Sequence, residues 1–459
     1  MKRFIVICSL VLGAAANGSE YILKYRWAFS SLDFQSRNFH VLSQHIPGKF
    51  IVVEIPDATK QAALAELLTQ PNAEYLVPDV RVHLFQHSRP TGVTLRPQWA
   101  IQKMQAEKAW QRAGNKGSRK IVVAVIDTGA DYTHVSLRPN MVKGYNFIEN
   151  NDDPMDITYY GFPGHGTHCS GLIGATGLID GGTTGLSPVV SIMPLRFIND
   201  EGGLVSDGIR AIDYAIAHGA NVISASWGGA MSREDAKPLI EAVARAEKAG
   251  VVFVTAAGND GKNNDGFETY PANAGLANTI TVAATEQADA KPEWSNFGRA
   301  KVHTAAPGNW ILSTLPGNNY ADMDGTSMSA PLIAGLVALV KAQDPNLTPI
   351  QIRSLIEATG DRIAIENACD CRANAFKAID QVVGQKMYVS PYGVSLSIHE
   401  QVTFDGVYGK PPLTFSTSNE AVASIDSNGI LTGLAKGSVQ VKVRDANGQE
   451  ATSYHIYIR

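Results

Sequence analysis

The sequence predicts an α/β domain, a mostly parallel sheet with helices on both faces, preceded by a small α+β unit and followed by an all-β sandwich. Three observations carry that prediction. Between about residues 96 and 385, short wholly apolar runs alternate with amphipathic ones, the pattern of strands buried on both faces and joined by covering helices. From residue 386 onward helical periodicity stops, β-branched residues alternate with polar ones, and Asn428-Gly429 and Asn447-Gly448 mark hairpin turns. Residues 17–95 carry strand-like runs around one short amphipathic helix.

In chain order, residues 1–16 read as a signal peptide: Lys2 and Arg3, an apolar core over 4–12, then Gly13 and three alanines before the cut. That core is shorter than the about 20 residues of a membrane-spanning helix, and Cys8 leaves with it. In 17–95, residues 21–25 and 49–55 read as strands, 61–68 as the helix and 74–85 as extended chain interrupted by Pro78; a linker with Pro and Gly follows over 87–97. In 96–385 the expected strands are 121–126, ending in Asp127, then 191–197, 222–224, 251–255 and 279–283, with helices over 205–217 and 238–248. Residues 330–340 are apolar on every face, which describes a buried helix. Pro331 is expected in its first turn, where a missing N–H costs nothing, so that Ser327 stands at the positive end of the helix dipole. Residues 386–459 form the sandwich.

The 459 residues hold 39 Lys and Arg against 43 Asp and Glu, a net charge of -4, and no basic cluster breaks that balance. Nucleic acid is therefore not an expected partner. No run beyond the N-terminus is long enough to span a bilayer, and a monomer is expected. Past the signal peptide three cysteines remain, Cys169, Cys369 and Cys371, so at least one thiol is free or pairs with another molecule. A Cys369–Cys371 bridge is not expected, because so short a separation would strain it.

Four short stretches carry chemistry. Gly325-Thr326-Ser327 turns into the apolar helix; Ser327 there is a nucleophile or simply an N-cap. Asp127-Thr128-Gly129 closes the first central strand, where the carboxyl ends of an open sheet face the ligand crevice. Gly164-His165-Gly166-Thr167-His168-Cys169 opens another helix, and Ala256-Ala257-Gly258-Asn259 places a side-chain amide at a strand end. Acyl hydrolysis needs a nucleophile, a base of near-neutral pKa, an acid that fixes the imidazole tautomer, and donors for the oxyanion. Ser327, His165, Asp127 and Asn259, with the Ser327 backbone N–H, fill those roles. Singly each has a bland account as a cap, turn or loop residue. His165 and His168 lack the glutamate that follows the first histidine of a zinc-protease helix, and the glycines at 171, 174 and 177 do not open a helix after a strand, so neither metal nor dinucleotide is favoured. Cys169 reads as buried and structural.

These four blocks, 127–129, 164–171, 256–259 and 325–331, resemble the signature blocks of subtilisin-like serine proteases of the subtilisin and proteinase K type, a family whose chain order of Asp, His and Ser is well known. The resemblance implies a subtilisin-like fold, Asp127 as orienting acid, His165 as general acid and base, Ser327 as nucleophile and Asn259 as oxyanion donor, with no cofactor in the chemistry. It implies that Ser224, Ala225, Ser226, Trp227 and Gly228 pair with substrate backbone and wall the first specificity pocket beside Ala257 and Gly258, and that Gly202 and Gly203 flank the substrate's other side. His168 is then a packing histidine. Polypeptides are the implied substrates. Residues 17–95 resemble the family's inhibitory prodomain, an intramolecular inhibitor whose last strand lies in the cleft and which is cut off between Gln86 and Arg96. Residues 386–459 resemble bacterial Ig-like domains.

Structural calcium is common in the family, but Val135-Ser136-Leu137 lacks its carboxylate and residues 176–185 lack its Asn-rich pattern; Asp152, Asp153 and Asp156 read as a solvated loop before a calcium site. The reading favoured is a secreted serine endopeptidase made as an autoprocessed zymogen. Its competitors are a catalytically inactive scaffold with an adhesin-type Ig-like module, and ligation or ester hydrolysis through the same acyl-enzyme.

Overall fold

The computed structural model describes residues 18–27, 36–70, 72–86, 88–92, 97–157, 163–177 and 182–459. The signal peptide and residues 87 and 93–96 of the linker expected over 87–97 lie outside them, while residues 88–92 of that linker form a strand.

The N-terminal unit has strands β1 (Ser19–Tyr25), β2 (His40–His45) and β3 (Phe50–Ile55), helix α1 (Lys60–Leu68), and strands β4 (Ala73–Pro78) and β5 (Arg81–Leu84). The first four strands form one antiparallel sheet in the order β2-β3-β1-β4. Its two faces go to different places. Leu23, Ile51, Val53 and Ile55 pack on Ala63 and Leu67 of α1, while Ile22, Phe50 and Val52 join the core of the following domain. This is the period-2 alternation of a strand buried on both sides. β2, whose residues alternate between exposed and half-buried, offers no apolar run and was invisible in the sequence.

Next come β6 (Ser88–Gly92), α2 (Trp99–Lys103), α3 (Ala106–Ala113), β7 (Gly117–Asp127), β8 (Tyr145–Asn146), α4 (His165–Gly174), β9 (Val189–Arg196), β10 (Gly203–Leu204), α5 (Val205–Ala217), β11 (Val222–Ala225), β12 (Trp227–Ala230), α6 (Lys237–Lys248), β13 (Val252–Ala256), β14 (Thr269–Tyr270), β15 (Thr279–Thr285), β16 (Thr304–Pro307), β17 (Ile311–Leu315), β18 (Asn319–Asp324), α7 (Thr326–Gln343), α8 (Pro349–Thr359), β19 (Asp361–Arg362), β20 (Cys371–Arg372) and α9 (Ala375–Val383). Nine of these strands make one sheet, ordered β19-β20-β16-β15-β13-β11-β7-β9-β8, parallel except at its β19 edge. Val123 and Val125 of β7 face a core shared with α4 and α7; Ala124 and Ile126 face one shared with α5 and α6. α7 is long and apolar enough by composition to cross a bilayer, yet 89% of that window is buried inside the fold.

Two expectations are corrected. Pro331 is the sixth residue of α7, not in its first turn, so its missing N–H frees the carbonyl of Ser327 four residues back. Ser226 Oγ (3.0 Å) and Cys169 Sγ (3.5 Å) donate to that carbonyl instead. Cys369 and Cys371 are joined in a disulfide, with Cα atoms 5.1 Å apart, inside the ordinary span for such a bridge. Asp370, held between them at φ 45°, accepts from Arg299 Nη1 (2.6 Å) and from Tyr454 Oη of the C-terminal module (2.5 Å). A turn fixed at both ends by that bond explains why the short separation is used here.

Short, mostly antiparallel strands from Tyr388–Ser390 to Ile456–Ile458 enclose a separate core of Val389, Phe404, Leu431, Val441, Val443 and Ile456. Gly429 (φ 79°) and Gly448 (φ 81°) occupy the two hairpin turns read from the sequence.

Candidate active site

Asp127 is the last residue of β7, fully buried, and its Oδ1 accepts from its neighbour Thr128 N (2.8 Å) and meets His165 Nδ1 at 2.7 Å. His165 opens α4, and the two elements touch because Gly166 has no side chain: a Cβ there would lie 2.1 Å from the Gly129 carbonyl oxygen. Gly166 N then reaches Thr128 Oγ1 at 2.9 Å. Since the residue before the helix is Gly164, no side chain of its own caps α4. Asp156 does so from a distance, accepting from Thr167 N (3.0 Å) and Oγ1 (2.7 Å).

The acidic loop is solvated at Asp152 and Asp153, as expected, but not at Asp156. Asp156 is buried, Asp153 accepts from Tyr132 Oη (3.0 Å) and Asp152 pairs with Lys143 (2.8 Å). Each of the three carboxylates therefore has at least one protein partner.

Burial alone would lower the pKa of His165, but the Asp127 carboxylate against its ring raises it well above 6.5. Burial pushes the Cys169 thiol up in turn. Asp127, His165 and Cys169 bring three ligand-type atoms within 4.8 Å of one another. Nδ1 is taken up by Asp127, which leaves Nε2 as the ring nitrogen without a hydrogen-bond partner among the described residues. His168 is buried, pushed down to about 3 by desolvation, and its Nε2 meets the carbonyls of Ile311 (3.0 Å) and Ala321 (3.1 Å), tying β17 and β18 to α4.

Ser327 is the second residue of α7. Its backbone N–H donates to the carbonyl oxygen of Phe85 (3.2 Å), and Asn259 Nδ2 donates to the same oxygen at 2.5 Å. Thr326 fixes the amide's orientation, giving Asn259 Oδ1 both its N–H (3.0 Å) and its hydroxyl (2.8 Å). The sequence assigns no role to Phe85 or Thr326. Phe85 ends an extended run, and Thr326 stands beside the serine, but only the folded chain shows what each touches. Gly325 clears the way, since a Cβ on it would lie 2.4 Å from that Phe85 oxygen.

Phe85 arrives there on β5, which lies between β10 and β12. Val82 and Arg81 pair with Gly203 and Leu204, Leu84 and His83 with Trp227 and Gly228, all antiparallel, and Phe85 N donates to Ser226 O at 3.1 Å. Gly202 leaves room for this strand, since a Cβ on it would be 2.6 Å from Val82 O; one on Gly228 would be 2.6 Å from the Phe85 ring. Gly202, Gly203, Ser226, Trp227 and Gly228 thus border the inserted strand. Ser224 and Ala225 do not: they belong to β11, paired on both sides inside the central sheet. A β-bridging stretch read as one strand is in fact two, split at Ser226. Trp227 is buried beneath, donating Nε1–H to Ile126 O (2.9 Å). Ala257 and Gly258 shape the turn before Asn259, through bonds to Asn264 Nδ2 (2.9 Å) and Thr326 Oγ1 (3.2 Å) respectively.

The hydroxyl of Ser327 donates to Ser226 O (2.9 Å), while His165 Nε2 has no hydrogen-bond partner among the described residues. Asp127 and His165 are therefore in contact, as are Asn259 and Ser327 through the Phe85 oxygen, and the hydroxyl is turned toward Ser226.

The Subtilase family model matches residues 118–385, and the Bacterial Ig-like domain (group 2) model matches residues 393–456. Thermitase of Thermoactinomyces vulgaris is 36% identical over 285 residues, 61% of this chain and 95% of its own. The thermophilic serine proteinase of Bacillus sp. strain AK1 is 37% identical over 325 residues, covering 70% of this chain and 75% of its own. The extracellular protease of Xanthomonas campestris pv. campestris is 34% identical over 365 residues, covering 69% and 61%.

Proposed function

Because the chain belongs to the subtilase family and is a serine endopeptidase hydrolase acting on polypeptides, we propose that Ser327, His165, Asp127 and Asn259 are its catalytic residues and that it is made as a zymogen cut by its own site. One observation carries the reading. The Phe85 carbonyl oxygen, at the end of a strand seated between β10 and β12, takes hydrogen bonds from Asn259 Nδ2 and Ser327 N. Two donors converging on one substrate-like oxygen are what an oxyanion site requires.

The chemistry follows from the named atoms. Rotation about χ1 moves the Ser327 hydroxyl from Ser226 O toward His165 Nε2, a change between staggered wells. Oγ attacks the carbonyl carbon as Nε2 takes its proton; Asp127 holds Nδ1–H and stabilises the imidazolium. The oxyanion draws on the two donors and on the N-terminus of α7. Collapse passes the proton from Nε2 to the leaving amine and leaves an acyl-Ser327, which water hydrolyses by the same route.

Residues 17–85 then act as inhibitory prodomain, with Phe85–Gln86 as the bond cut, immediately upstream of the window expected from the sequence. Secretion through the 1–16 signal peptide accords with this, since a protease held by its own prodomain suits export before activation. Fluorophosphonate labelling tests the reading. Once the prodomain is removed, Ser327 is expected to be modified stoichiometrically; an unlabelled Ser327 in folded protein refutes it and favours an inactive scaffold.

A further inference from the structure

The inserted chain does not stop at Phe85. Beyond Gln86 it continues as β6, which pairs antiparallel with β18: Ser88 with Asp324, Thr91 with Asp322 and Gly92 with Ala321. β18 is otherwise the outer strand of the β17–β18 hairpin, so β6 makes it a three-stranded sheet. β18 also ends one residue before Gly325 and leads directly into the turn bearing Ser327. Counting from the bond proposed for cleavage, Ser88 is the third residue downstream and Gly92 the seventh. Upstream, residues 81–84 pair with β10 and β12.

Resting on the reading above, we propose that the outer edge of β18 is a substrate-binding strand for the third to seventh residues after the cleaved bond, vacated when a substrate displaces β6. The enzyme thereby selects long extended polypeptide segments. Strand addition at both sides of the bond engages main-chain groups over a stretch equal to Arg81–Gly92, roughly 40 Å of extended chain. A folded loop or a short peptide cannot supply that length, whereas an unfolded tail or linker can. His168 supports the arrangement, because its bonds to Ile311 O and Ala321 O hold the hairpin against α4 at the level of the site.

The test uses the self-processed enzyme and internally quenched peptides that share Val-His-Leu-Phe before the bond and carry two, four, six or eight residues after it. Each net backbone hydrogen bond is worth a factor of roughly 2 to 12, so an added strand making two of them is expected to raise kcat/KM about 4- to 140-fold between two and seven downstream residues, then level off. N-methylation scanned along those residues should abolish the gain at some positions and spare others, since only part of a paired strand's amides face its neighbour and the pairing shifts register between Ser88 and Thr91. A flat response from two to eight residues, with the shortest peptide well cleaved, overturns the β18 strand and leaves the protease assignment intact. Loss of the gain at every methylated position also overturns it. Failure to cleave any peptide sinks both.

Discussion

The buried carboxyl of Asp79 makes the seating of the N-terminal unit pH-dependent. Asp79 lies in the N-terminal unit between β4 and β5, is 8% exposed, and its Oδ1 accepts from Ser206 N (3.0 Å) at the start of α5; Oδ2 has no partner among the described residues. Burial lifts its pKa from 3.8 to about 7, against the pull of the Ser206 hydrogen bonds and with a push from Glu20 and Asp207. If residues 17–85 are released as proposed, the carboxyl returns to water. The docked form then binds this proton more tightly than the free form, so docking is favoured at low pH and weakens as pH rises from about 4 to 7. At ~1.4 kcal/mol per pH unit the span amounts to about 4 kcal/mol. The opposing attraction of the α5 N-terminus for a negative charge is ~0.3–2 kcal/mol, so desolvation wins. Ki for residues 17–85 added to the mature enzyme should therefore rise by up to roughly 1000-fold from pH 4 to 8. Asp79→Asn keeps an oxygen acceptor for Ser206 N and should bind more tightly than wild type at pH 8 and about equally at pH 4. A wild-type Ki flat over that range, or weaker binding by Asp79→Asn at pH 8, would refute the argument.

Asn259→Ala removes one of two donors and should lower kcat by roughly 100- to 1000-fold, the range known for loss of such a donor in subtilisin; an unchanged kcat in steady-state assays would move the oxyanion elsewhere. With its pKa raised by Asp127, His165 holds its proton above pH 6.5, so the acid limb of kcat/KM should lie above that pH. Asp127→Asn should shift the limb downward while costing about 10⁴-fold in kcat through the wrong tautomer; a limb that stays put assigns it to another group. Cys169 lies 3.9 Å from His165 Nδ1 and 3.5 Å from Ser327 O, so stoichiometric mercurial labelling should abolish turnover by displacing the imidazole, and full activity after complete labelling would contradict that.

The main scaffold was legible because its determinants are local. The helix read over 205–217 is α5 to the residue, and the strand ending in Asp127 is β7, since apolar periodicity and a closing carboxylate are written in contiguous residues. Errors arose where meaning depends on partners distant in sequence. Asp156 looks solvated beside Asp152 and Asp153 until Thr167 is brought to it. Pro331 looks harmless until the helix is found to begin at Thr326, after which the carbonyl it frees needs Ser226 and Cys169. Ser224 and Ser226 are two residues apart but serve different sheets, because the chain leaves the central sheet between them. Phe85 could not be singled out, since its role is set by Asn259 and Ser327, 174 and 242 positions onward.

Intact-mass analysis of freshly purified wild-type and Ser327→Ala proteins tests the centre of the account. Wild type should yield a chain whose N-terminus is Gln86, or one trimmed further downstream, and a fragment ending at Phe85, while Ser327→Ala should remain joined across that bond. A Ser327→Ala protein cut at Phe85–Gln86 in the absence of any other protease, or a wild-type fragment ending at another residue, would contradict it.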